Sequence, residues 1–142
     1  MGQILDSMAH RGRILRGNNG YSEDAEKQAA NIASIDNLLD ELAKTGKLIR
    51  LSNFDIKYQN VEGLNVSADA ITDAQRQKLA DYYGYVIKSY MKKIPNEKQA
   101  GICKGNMVDT SDPVGLWAID KYSKDWVRTA TYKAFCDALS GK

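Results

Sequence analysis

The chain has 142 residues, with 20 Lys and Arg, 18 Asp and Glu, one His and a net charge of +2. That length suits one domain with its own core and falls short of a complete α/β barrel, which runs to about 250 residues. Charges of both signs are interspersed and no apolar run approaches the ~20 residues of a membrane span, so neither nucleic acid nor a membrane is expected as a partner. No leader pattern opens the chain, which reads as soluble, and its compartment is left unassigned. Cys103 and Cys136 lack metal-ligand spacing and sit among apolar residues, which predicts two buried thiols, no metal and no cofactor.

Residues 1–20 are ambiguous. Ile4, Leu5, Met8 and Leu15 fit one helical face, whereas Gly12 and the cluster Gly17-Asn-Asn-Gly20 favour a short element followed by a turn. Strand and helix suit this segment equally.

Ser22 is suited to cap a helix with Glu23 and Asp24 in its first turn, and Ala25, Ala29, Ile32, Ile35, Leu39 and Leu42 then recur on one face. Thr45-Gly46 ends it, with Gly46 fitted to a left-handed C′ position. Leu48 to Ile56 is short, apolar and partly β-branched. It reads as a strand buried on both faces near its start, as in a parallel sheet, and it delivers Asn53 near its carboxyl end.

Residues 58–71 read as a polar loop. Thr72-Asp-Ala-Gln75 matches a capping box and opens a second helix, in which Leu79, Tyr82, Tyr83, Val86, Ile87, Tyr90, Met91 and Ile94 keep helical spacing as far as Pro95. Lys88, Lys92 and Lys93 suit the negative end of its dipole. The tyrosine stripe is assigned to the core rather than to a site. Ala100-Gly-Ile-Cys103 is a further candidate strand, residues 106–128 read as irregular, and Thr129 to Leu139 closes the chain as a helix with Tyr132, Phe135, Cys136 and Leu139 inward. Helices alternating with strands predict one α/β domain over residues 1–142, built of βα units around a short parallel sheet.

The segment Gly46-Lys-Leu-Ile-Arg-Leu-Ser-Asn-Phe-Asp-Ile56 resembles the seventh-strand motif of family 10 glycoside hydrolases, the retaining endo-β-1,4-xylanases. Ser52, Asp55 and Ile56 match it, and Asn53 stands at the position of the nucleophilic glutamate. Gly101-Ile-Cys-Lys-Gly-Asn-Met-Val-Asp109 is similar to the eighth strand and keeps Gly101, Ile102 and Asp109. Pro113-Val-Gly-Leu-Trp117 resembles the closing loop, and Thr131 to Leu139 the last helix. Leu5 to Ile14 can be laid on the sixth strand. The resemblance is strongest over residues 21–57 and 98–139 and implies the last three βα units of a TIM barrel.

The departures fall on the implied active site. Asn53 replaces the nucleophile, Arg11 and Arg13 replace a Gln-x-His pair, and Gly105, beside Lys104, replaces a tryptophan. Retaining hydrolysis needs two carboxyl groups about 5 Å apart, and an asparagine amide does not substitute for the attacking one. In that family the acid/base comes from a fourth strand, which this sequence does not contain.

The resemblance therefore implies a xylanase-like fragment or derivative that is catalytically inactive alone. The alternative is a non-catalytic protein-interaction module, natural or engineered, on the same scaffold. Candidate contacts to substrate or partner are Arg11, Arg13, Asn53, Lys104 and Trp117, against the plainer readings of an inert Asn53, a solvated basic rim and a packing role for Trp117. Trp126 is left open, Asp55 is expected to anchor the strand and its loop, and His10 is expected at the surface. Candidate partners are β-1,4-xylan, xylo-oligosaccharides, or a protein, including a second copy, that completes the sheet, because a short parallel sheet leaves open edges.

Overall fold

The structure, a computed structural model, describes residues 20–142. His10, Arg11, Arg13 and the element expected around them lie outside the described residues. In chain order the elements are β1 (Tyr21–Ser22), α1 (Ala25–Lys44), β2 (Ile49–Leu51), β3 (Tyr58–Gln59), α2 (Asp73–Lys93), β4 (Gln99–Ile102), β5 (Trp117–Ile119), β6 (Trp126–Arg128) and α3 (Ala130–Leu139). Helices and short sheets are mixed, in keeping with a general α/β character.

The expected single parallel sheet is instead three two-stranded ones: β1 with β3 and β2 with β4 are parallel, and β5 with β6 is antiparallel. The segment 48–56 holds a strand of only three residues. Ile49 and Leu51 are buried, but Leu48 and Arg50 are exposed, so β2 is covered on one face. The polar segment after residue 57 starts with β3, and the stretch 106–128 contains the β5–β6 hairpin. Both were hidden from periodicity because strands of two or three residues are too short to show alternation.

Asp24, rather than Ser22, is the N-cap of α1. Its side chain accepts from Lys27 N at 2.8 Å, while Ser22 Oγ accepts from Asp24 N. Gly46, at φ +65°, follows the C-cap Thr45 as expected. The capping box of α2 is complete: Thr72 Oγ1 accepts from Gln75 N, and Gln75 Oε1 accepts from Thr72 N. None of the helices among the described residues is long and apolar enough to cross a membrane.

The core is formed by Ile35, Leu39 and Leu42 of α1, Leu79, Tyr82, Tyr83, Val86, Ile87 and Tyr90 of α2, the inward residues of β2, and Phe54, Ile56, Tyr58, Ile94 and Phe135. Phe54 is fully buried, edge-to-face with Tyr83 at 5.2 Å and near Phe135 at 5.8 Å. A ring of this size contributes about 1.5–3 kcal/mol by leaving water. The last helix departs from expectation at two positions, because Cys136 and Leu139 are exposed, as is Cys103. Neither thiol is a core residue, since Phe135 and Ala138 occupy the buried stripe of α3.

The tyrosine stripe is core, as expected, and it also closes backbone valences that the short strands leave open. Tyr90 Oη donates to Ile49 O at 2.6 Å and accepts from Gly101 N at 3.2 Å, which ties α2 to β2 and β4 together. Two turns earlier, Tyr83 Oη accepts from Ile56 N at 2.6 Å. Burial raises the Tyr83 phenol well above its usual range, so it stays protonated. Tyr83→Phe strands the buried N–H of Ile56 and should cost about 1–3 kcal/mol in a urea titration. An unchanged midpoint would show that this bond is dispensable.

Candidate functional site

Parallel pairing of β2 with β4 sets the segments after both strands side by side, where α/β folds place their ligands. Cys103 N donates to Leu51 O at 2.7 Å, and Phe54 N to Cys103 O at 3.0 Å, so the two chains stay joined past the strands. Between them Asn53 adopts φ +51°, a conformation that asparagine tolerates, and Asp55 N donates to Asn53 O at 2.8 Å. The turn leaves Asn53 exposed and sends Phe54, Asp55 and Ile56 inward.

Asp55 is where the polar groups converge. Lys104 Nζ donates to Asp55 Oδ1, which also accepts from Asn106 N at 3.2 Å, and Asn106 Nδ2 donates to Oδ2 at 2.6 Å. Both ionic side chains are buried, with 6% of Lys104 and 8% of Asp55 exposed. Lys104 also lies 5.4 Å from the centre of the Tyr83 ring.

Burial pushes the Asp55 carboxyl upward, but the Lys104 hydrogen bond and charge and the two Asn106 donors outweigh it and hold the group below its ordinary value. For Lys104, burial outweighs the pairing with Asp55 and lowers the ammonium from its ordinary range. The two directions differ in what they imply for the pair. Asp55 stays ionised, because its charge is met by three donor contacts, whereas Lys104 has a single carboxylate and a ring face.

Gly105 explains how the three groups fit. A Cβ there would come 2.5 Å from Asp55 Oδ2 and 3.0 Å from its Cγ. The carboxylate is short and held from two sides, so it has no room to yield. A tryptophan at this position is incompatible with the packed Asp55.

Beside this cluster is a cleft of about 400 Å³ lined by Asp55, Lys57, Asn106, Thr110, Asp112 and Val114. Lys57 Nζ and Asp112 Oδ2 pair across it at 2.9 Å. Asp109, the other nearly buried carboxylate of the region, is paired with Arg76 and accepts from Gly115 N at 2.9 Å. No protein-family model matches the chain, and no curated protein or solved structure is similar to it.

Arg11 and Arg13 lie outside the described residues, and among the described candidates Asn53, Lys104 and Trp117 have different surroundings. Lys104 is an interior cation rather than part of a solvated rim, and Asn53 is exposed whereas Asp55 is buried. Trp117 is half-buried, edge-on to Tyr132 at 5.6 Å and under the Arg128 guanidinium. It has the packing role, whereas Trp126 is 59% exposed. Asp55 anchors its loop as expected. Asn106, Lys57 and Asp112 were missed: each is an ordinary polar residue in a loop, and only the pairing of β2 with β4 brings them together. Among the described residues no group of three or more His, Cys, Asp or Glu side chains is placed to hold a metal.

Lys104→Met leaves a buried carboxylate without its counter-ion and should cost about 3–5 kcal/mol, while Lys104→Met with Asp55→Leu should recover much of that loss. Because the folded Asp55 pKa is depressed, its contribution is complete above the unfolded value near 4 and is lost as pH falls through the folded value. Acid unfolding of the wild type should therefore steepen below about pH 4, and the double variant should lack that component. Equal acid sensitivity in both proteins would contradict this assignment.

Proposed function

We propose that this chain is a xylanase-like glycoside hydrolase fragment or derivative, related to the last βα units of a TIM barrel, that does not cleave glycosides by itself. The observation that carries this reading is the fate of the carboxylates beside the strand ends. Asp55 is held ionised by Lys104 and Asn106, and Asp109 is paired with Arg76. A general acid in retaining hydrolysis needs a carboxyl that keeps its proton near neutral pH, and a nucleophile needs an unshielded carboxylate facing the sugar. Neither description suits Asp55, and Asp109, closed in by Arg76 and Gly115 N, is not an unshielded nucleophile.

The parallel pairing of β2 with β4 supports the relationship, since α2 lies between these two neighbouring strands in the chain, as between the seventh and eighth strands of such a barrel, although the short β3 is inserted before α2 and pairs with β1. Asn53 at the nucleophile position and Gly105 at the tryptophan position belong to the same change. With Gly105 in place, the Asp55 carboxylate fills the space a side chain would take.

The second reading, a non-catalytic interaction module on this scaffold, is favoured by one observation. The β5–β6 hairpin exposes Ile119 and Trp126 on one face, Val127 on the other, and Tyr122 in its turn.

Incubation with xylo-oligosaccharides should release no reducing sugar from the wild type. Asn53→Glu should stay inactive as well, because a new carboxylate at an exposed left-handed position acquires no acid partner; the strain of that position, about 1–2 kcal/mol, leaves the fold intact by circular dichroism. Turnover by the wild type would overturn the inactive reading. Calorimetric binding of the same oligosaccharides without turnover would instead favour a retained sugar site.

A further inference from the structure

All three residues of β6 are exposed. Its register with β5 sets Trp117 opposite Arg128, Ala118 opposite Val127, and Ile119 opposite Trp126. Residues directly opposite, and residues two apart along a strand, share a face. Trp117, Arg128, Ile119 and Trp126 therefore lie on one face of the hairpin, and Ala118 and Val127 on the other. The Arg128 guanidinium sits 4.5 Å from the centre of the Tyr132 ring and 5.4 Å from that of Trp117. It is fixed in place by rings and has no ion pair among the described residues.

Among the described residues, nothing pairs with the outer side of the β6 backbone. Thr129 N donates to Leu116 O and Asp120 N to Asp125 O, both at 2.9 Å. Hydrogen-bonded pairs alternate along an antiparallel ladder, so the pair Ala118 and Val127 is bonded, and Trp126 and Arg128 turn their N–H and C=O groups away from β5. The edge has no proline, no lysine and no bulge, and its guards are its three-residue length and Arg128, whose charge is held over the rings of Trp117 and Tyr132. The edge of β4 is interrupted by contrast, with Gly101 at φ +106° and a register shift in its pairing with β2.

We infer that β6 is a self-association edge, on which a second copy of the chain pairs its own β6 antiparallel about a two-fold axis through Val127. In that register the outward N–H and C=O of Trp126 meet those of Arg128 in the second copy, and the reverse, which makes four backbone hydrogen bonds. A two-fold interface must be self-complementary. Trp-Val-Arg meets that condition, because the aromatic ring and the cation stand one residue either side of the axis and on the same face. Each Arg128 gains a Trp126 ring across the interface, a cation–π contact added to the two it already makes. The product is a four-stranded antiparallel sheet in the order β5, β6, β6, β5. A second copy is the favoured occupant because it supplies both the ring and the cation at the required offsets. Strands of three residues bury little area, so the dimer is weak and concentration-dependent. This inference is independent of any glycoside chemistry.

Sedimentation equilibrium over a rising concentration series tests it. The wild type should move from one chain towards two. Val127→Lys puts two like charges opposite each other at the axis and should remain a monomer, with its hairpin intact because Val127 is partly exposed beside Ala118. Val127→Glu should also be monomeric alone, whereas an equimolar mixture of the Lys and Glu variants should associate again. A wild type that stays monomeric at millimolar concentration would overturn the inference, even if the edge bound a foreign extended peptide. So would association that Val127→Lys leaves unchanged, or a failure of the mixture to recover it.

Discussion

The buried pair of Asp55 and Lys104 is the interaction on which the region after β2 and β4 depends. It joins two segments 49 residues apart in sequence, at the point where two three- and four-residue strands have run out of ladder hydrogen bonds. A buried ion pair is poor as a source of net stability, because desolvation offsets most of its attraction, but its geometry is exacting. Here that geometry requires Asn106 to complete the carboxylate, Gly105 to leave room for it, and a left-handed Asn53 to turn Asp55 inward.

The same pair governs the chemistry. A carboxylate that is surrounded by donors and held ionised is a structural group, with neither the proton of a general acid nor the exposure of a nucleophile. The tyrosines of α2 support this arrangement from below. Tyr83 fixes Ile56 and packs against Lys104, and Tyr90 holds β2 to β4. The Tyr83 and Tyr90 hydroxyls serve as substitutes for sheet hydrogen bonds that such short strands do not make, which accounts for tyrosine rather than leucine at those two positions.

What was legible in the sequence was local. The Thr72 capping box, the stop at Pro95, the glycine after Thr45 and the core face of α2 each follow from residues within a few positions of one another. The parallel neighbours β2 and β4 were also expected, though residues 48–56 contain far less strand than their apolar character suggests, because the turn at Asn53 redirects the chain. What was not legible needed the tertiary fold. The loop lysine Lys104 gives no sign that a carboxylate 49 positions earlier will bury it, and Cys136 reads as inward until packing gives the buried stripe of α3 to Phe135 and Ala138. The hairpin of residues 117–128 escaped because Asp120 and Asp125 close a turn that carries no glycine.

The most direct test of Asp55 as a structural rather than catalytic carboxylate is its own titration, followed by the side-chain carboxyl ¹³C shift in NMR. The structure predicts a midpoint below the ordinary aspartate value, with the change accompanied by loss of the folded spectrum as the pair with Lys104 breaks. A midpoint at or above the ordinary value, in a chain that remains folded, would contradict it and return Asp55 to the groups available for proton transfer.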